Sequence, residues 1–240
     1  MPEATTSARS ATVSAAVRRE LPALVGLAAL SALALFLLVL RAHHAGRFEL
    51  RFLVWNLFLA WVPLGAASML VPLMHARRLR LAWPVLFGVW LLFLPNAPYL
   101  LTDLVHLGPV ERSPLWFDVL VYGQFAFTGV LLGVASLLLV QGAVRRAYGG
   151  LVSWVVVFGA CGLAGFGVYL GRFLRWNLWD VLAEPRAILA EIAPLTDPIS
   201  HPRAWVVTAL FGSFLAVAHL VMFGLVRTAH LLHGTVVSPD

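Results

Sequence analysis

Two polar clusters close long apolar runs in this chain, and both are built from residue types that hold anions, metals or protons. The first, FLPNAPYLLTDLVH from Phe93 to His106, contains Asn96, Asp103 and His106. The second, GRFLRWNLWD from Gly171 to Asp180, contains Arg172, Arg175, Asn177 and Asp180. An ionised side chain at bilayer depth costs about 2.5–3.5 kcal/mol even on a lenient insertion scale, so such residues pair with one another or serve a function. Asp118, just inside the next apolar run, adds another carboxylate. The simplest arrangement pairs Asp103 or Asp118 with Arg172 or Arg175. The second arginine is then free to hold a phosphate or carboxylate such as a lipid headgroup, oriented by Asn177 and Asp180.

The same residues admit other chemistry. Asp103 and His106 are three apart and share a face if the helix resumes after Pro98, so with Asp180 or His201 they would form a shell for a divalent metal. No HExxH, cysteine pair or third ligand at fixed spacing accompanies them, and a helix-end hydrogen bond is the commoner outcome. Arg172 and Trp176, like Arg175 and Trp179, are four apart. On a helix that spacing lays a guanidinium over an indole and anchors the span at headgroup level. His219, deep in the last apolar run, suits a hydrogen bond between helices better than a haem shared with His75.

Composition removes several classes. All 17 basic residues are arginine, which excludes a Walker lysine, a Schiff-base lysine and a Ser-Lys dyad. The arginines lie in short segments between apolar runs, so the net charge of +6 speaks of membrane topology and of no nucleic-acid partner. Cys161, the one cysteine, lies mid-span as an apolar filler. No motif names a cofactor or an oligomeric state.

The elements that position these clusters follow from hydropathy. The chain is 61% hydrophobic and 12% charged, against about 25% charged in soluble domains. Six runs approach the length of about 20 residues that crosses a bilayer: Leu21 to Leu40, Phe52 to Met74, Leu81 to Leu101, Trp116 to Val140, Leu151 to Leu170 and Ala204 to Val226. This predicts an all-α, polytopic bundle of six transmembrane helices. Residues 1–20 read as a disordered cytoplasmic N-terminus, 21–228 as one membrane domain and 229–240 as a cytoplasmic tail. The first apolar run is too long for a signal-peptide core and reads as a retained anchor. Bare arginine clusters such as Arg77, Arg78 and Arg80 favour both termini inside, which sets the two polar clusters at the extracytoplasmic face.

Pro95 and Pro98 should interrupt the third span between Leu94 and Tyr99, freeing carbonyls for which Asn96 is a ready partner. Residues 185–193, PRAILAEIA, read as a short interfacial helix with proline at its first position. Gly129 and Gly133 in span four, and Gly159, Gly162, Gly165, Gly167 and Gly171 in span five, allow close approach, so those two spans are expected to pack together.

The stretch LFLPNAPYLLTDLVHL at 92–107, Trp-Phe-Asp at 116–118 and YLGRFLRWNLWD at 169–180 together resemble the bacterial membrane family DUF1361, over roughly residues 25 to 230. Leu178 stands where the family pattern has serine, which leaves Arg172, Arg175, Asn177 and Asp180 intact. The family is one of unknown function, so the resemblance implies a multi-helix membrane protein of the bacterial plasma membrane and no particular chemistry.

Three functions fit these residues. A binding module for an anionic lipid or an envelope partner uses the arginines. A small-solute transporter would line one path with Asn56, Asn96 and His219. A membrane enzyme, possibly metal-dependent, would bring Asp103, His106 and Asp180, with Asp118, into contact.

Overall fold

The computed structural model describes residues 2–46, 49–73, 82–107, 113–176 and 183–236. Six helical stretches among them are long and apolar enough to cross a membrane, and the protein is an all-α, multi-pass bundle. In chain order the helices are α1 (Pro2–Ala45), α2 (Arg51–Leu73), α3 (Ala82–Phe93), α4 (Asn96–Thr102), α5 (Leu115–Tyr148), α6 (Gly150–Phe173), α7 (Pro185–Ile192) and α8 (Pro202–Val236). Short 3₁₀ turns follow α4 at Asp103–His106 and α7 at Ala193–Thr196. Helix α1 begins at Pro2 and runs without interruption into the first span.

Helix α5 is the axis of the bundle: 67% of its most apolar window is buried, against 22% for the first span and 17% for α8. At the end bearing Asp118, Leu53 and Leu57 of α2 and Leu38 of α1 pack with Val121 and Phe125. At the other, Trp90 of α3, Val157 and Ala164 of α6 and Leu215 of α8 close on Val134 and Leu137. Lipid tails are as apolar as these side chains, so close packing and interhelical hydrogen bonds supply much of the specificity. Trp61 Nε1 donates to Ser31 Oγ at 3.1 Å, Trp90 Nε1 to Ser136 Oγ at 3.2 Å, and Gln124 Nε2 to the Leu30 carbonyl at 3.2 Å.

The third span breaks where the prolines predict. Helix α3 stops at Phe93 and α4 restarts at Asn96. Pro95 has no N–H to give, and the Ala97 N–H turns to the Leu94 carbonyl at 3.1 Å, away from that of Phe93. Asn96 Nδ2 takes over the freed Phe93 carbonyl at 2.9 Å.

The glycines do permit close approach, but between other helices than α5 and α6. A Cβ at Gly129 or Gly133 would lie 2.7 Å from the Ala97 carbonyl oxygen or the Ala97 Cβ, so the glycines of α5 receive α4. On α6, a Cβ at Gly165 would strike the Thr208 carbonyl of α8, and one at Gly167 the Pro95 ring. Helices α5 and α6 touch, yet the half-helix α4 and helix α8 fill the spaces those glycines leave.

Candidate functional site

The break in span three delivers Asp103 to the interior. Its side chain is 1% exposed, at the first position of the 3₁₀ turn that ends the span. Asn56 Nδ2 of α2 donates to Oδ2 at 2.9 Å, and Arg172 Nη1, in the last turn of α6, lies 3.5 Å from Oδ1. Of the pairings open to the sequence, the structure contains Asp103 with Arg172. The Arg172 guanidinium also lies 5.9 Å from the Tyr99 ring centroid and places Nη2 3.4 Å from His106 Nδ1. His106 Nδ1 is 3.1 Å from the Asp103 carbonyl oxygen as well. One ring nitrogen cannot serve both neighbours: protonated it donates to that carbonyl, and unprotonated it accepts from Arg172. The ring is steadied by Phe52, with centroids 5.4 Å apart.

Asp118 has a different partner. Arg41, at the far end of α1, meets it side-on, with Nε 3.0 Å from Oδ1 and Nη2 3.4 Å from Oδ2. Ser113 Oγ adds a hydrogen bond of 2.7 Å to Oδ1. The two side chains are 3% and 4% exposed, a buried, nearly bidentate pair of the kind that breaks at high cost. Both carboxylates lie within electrostatic reach of Tyr122 on α5, so the ion pairs are neighbours at one end of the bundle. Sequence reasoning passed over Arg41 because an arginine closing an apolar run resembles a flank that snorkels to the headgroups.

Helix α6 ends before the tryptophans, which removes the expected stacking of Arg172 on Trp176. Arg175 adopts a left-handed backbone with φ 60°, and the Trp176 N–H reaches back to the Leu170 carbonyl at 3.2 Å. The chain turns instead of continuing as helix. Trp176 Nε1 donates to Glu191 on α7, tying that short helix to the end of α6. Helix α7 has proline at its start, buries Ile188 and half-buries Ile192, while Leu189 is 65% exposed. Arg175 is exposed, and among the described residues no carboxylate pairs with it. Asn177, Leu178, Trp179 and Asp180 lie outside the described residues. His201 makes a backbone bond to Asp197 at 3.1 Å and is not in the Asp103 cluster.

Below the Asp103 cluster lies an apolar cavity of about 470 Å³ between α2, the broken α3–α4 and α6. Leu92, Pro95, Leu163 and Phe166 form part of its wall, Asn56, Asn96 and Tyr99 bring polar atoms to it, and Ile188 of α7 and Trp176 reach it from the chain end of α6. Asn56 thus touches both the cavity and Asp103, and Tyr99 both the cavity and Arg172.

His219 belongs elsewhere. It is fully buried, with Nε2 2.9 Å from Gln141 Oε1 across α5 and α8, and Trp154 edge-on at 6.0 Å. This is the interhelical hydrogen bond its position suggested. It does not join Asn56 and Asn96 in one lining. Among the described residues, no three His, Cys, Asp or Glu side chains converge as metal ligands.

Six apolar helices around a buried axis, with ion pairs gathered at one end and a cavity between spans, define a multi-pass membrane protein. The chain belongs to the family DUF1361, proteins of unknown function, whose sequence profile matches residues 55–218. That match runs from within span two to within span six, less than the residues 25 to 230 of the resemblance, and it leaves out α1 with Arg41. No curated protein and no solved structure matches the chain.

Proposed function

We propose that this is an integral protein of the bacterial plasma membrane that binds an anionic amphiphile, with the acidic group at Arg172 and Arg175 and the apolar body in the 470 Å³ cavity. One observation carries the reading: an incompletely used arginine against Tyr99, a residue of the cavity wall. Arg172 is 20% exposed and spends its contacts at 3.5 and 3.4 Å, longer than the roughly 2.7–2.9 Å of a strong charge-assisted bond. A guanidinium has five donors, so room remains for a phosphate or carboxylate. Arg175, exposed next to it, adds positive charge that Asp103 does not neutralise. The cavity volume falls within the roughly 300–1,000 Å³ usual for ligand sites. With both termini cytoplasmic, the site faces the extracytoplasmic side.

A transporter is the second reading, favoured by the broken α3–α4 helix beside the cavity, a device of many transporter sites. Polar lining at Asn56 and Asn96 supports it. His219, on its own with Gln141, does not extend that lining, and amphiphile binding accounts for the same features without a path.

The test is lipid retention by the purified protein in detergent, read by native mass spectrometry. Phosphatidylglycerol should be retained over phosphatidylcholine by about tenfold, the worth of about one charge-assisted hydrogen bond. Joint Arg172→Gln and Arg175→Gln substitution should bring the ratio close to one. Equal retention of both lipids by the unsubstituted protein would overturn the proposal.

A further inference from the structure

A second cavity, of about 390 Å³, lies on the other flank of α6 against α8. It shares Leu163 and Phe166 with the first, so the two cavities sit astride one ridge of α6. Helix α7 and the turn after it serve both, with Ile188 lining the first and Ile192 and Leu195 the second. The second cavity is apolar apart from Thr208, whose Oγ1 is buried and has no hydrogen-bond partner among the described residues. A third arginine stands at this end of the bundle: the Arg203 guanidinium lies 4.2 Å from the Phe173 ring centroid. Among the described residues nearby, the Glu191 carboxylate is bonded by Trp176 and that of Asp197 by Ser200 and the Ile199 N–H.

We infer that the ligand is a two-chain anionic phospholipid, with one acyl chain in each cavity, Leu163 and Phe166 between them, and the phosphate at the rim of Arg172, Arg175 and Arg203. This rests on the anionic-amphiphile reading above and specifies its substrate class. A single-chain acid would fill one cavity and leave the other to solvent or bulk lipid. A diacyl lipid fills both. A second copy of the chain fits less well, because an apolar helix face offers the arginine rim nothing negative.

Two glycines allow each cavity to be filled separately. A Cβ at Gly88, in the first cavity, or at Gly162, in the second, meets nothing within 4 Å, so a side chain added at either glycine starts into open space. Retention of diacyl phosphatidylglycerol by the purified full chain should fall about tenfold in Gly88→Leu and in Gly162→Leu alike, because each displaces one buried chain. Single-chain lysophosphatidylglycerol should be lost from Gly88→Leu and kept by Gly162→Leu. Unchanged diacyl retention in Gly162→Leu overturns the inference, as does a dimer in the unsubstituted protein that Gly162→Leu dissociates. Loss of phosphatidylcholine and phosphatidylglycerol in equal measure from both variants would sink the anionic reading and leave the two-chain geometry standing, so the two failures are told apart. Should a leucine variant fail to fold, Gly88→Val and Gly162→Val give the same pattern at smaller amplitude.

Discussion

At the scale of single residues, the two ion pairs have different work. Arg41 and Asp118 are almost fully buried and matched nearly atom for atom, so each exists for the other. Removing either partner strands a buried charge, and Arg41→Met or Asp118→Ala should each lower stability by about 3–5 kcal/mol, read as thermal unfolding in detergent. Replacing both at once with apolar residues should cost clearly less than the sum. If the losses simply add, the pair is not a coupled unit. Asp103 and Arg172 are looser, one buried and one partly open. That asymmetry suits a cation held in place by a buried carboxylate while it faces a ligand.

At the scale of elements, the broken third span is what gathers the candidate site. Its second half wedges between the glycines of α5 and swings Asp103 inward, while Asn96 covers the carbonyl that the break exposes. Asn96→Ala should cost about 1–3 kcal/mol by leaving the Phe93 carbonyl unpaired. Gly165→Ala should cost a similar amount through overpacking against α8, whereas Gly159→Ala, where a Cβ meets nothing, should be neutral. Equal melting shifts for the two glycine variants would refute this packing. Pro95 and Pro98 made the break legible in the sequence, because a missing N–H acts locally. The partners of the glycines were not legible: a glycine shows that something comes close, without showing which helix. The stacking of Arg172 on Trp176 failed for a related reason, since the spacing assumes a helix and Arg175 ends it in a left-handed turn. Tyr99, from the other motif, takes the place of the indole.

At the scale of the whole molecule, hydropathy was sufficient for the six spans, because a run of about 20 apolar residues has few other stable fates. Long-range order was harder to read. That α5 is the axis and α8 a lipid-facing flank depends on contacts between distant runs that are equally apolar. Helix α1 lies outside the residues matched by the family, yet supplies the arginine that neutralises Asp118. An even number of spans puts both termini on one side, and the arginine clusters favour the cytoplasm. Fusions at Asp240 should therefore give a fluorescent protein reporter and an inactive alkaline phosphatase; the reverse pattern would move the site to the cytoplasmic face.

The central claim, an anionic amphiphile held beneath the Asp103–Arg172 pair, is tested most directly by photocrosslinking in the native membrane. A photoreactive amino acid at Leu92, in the cavity wall, is compared with one at Phe36, which is 62% exposed on α1 and samples bulk lipid. The adducts are released and identified by mass spectrometry. The account predicts that anionic phospholipid is enriched at Leu92 over Phe36, and that Arg172→Gln with Arg175→Gln abolishes the enrichment. The same lipid mixture at both positions, or no lipid adduct at Leu92, would contradict it.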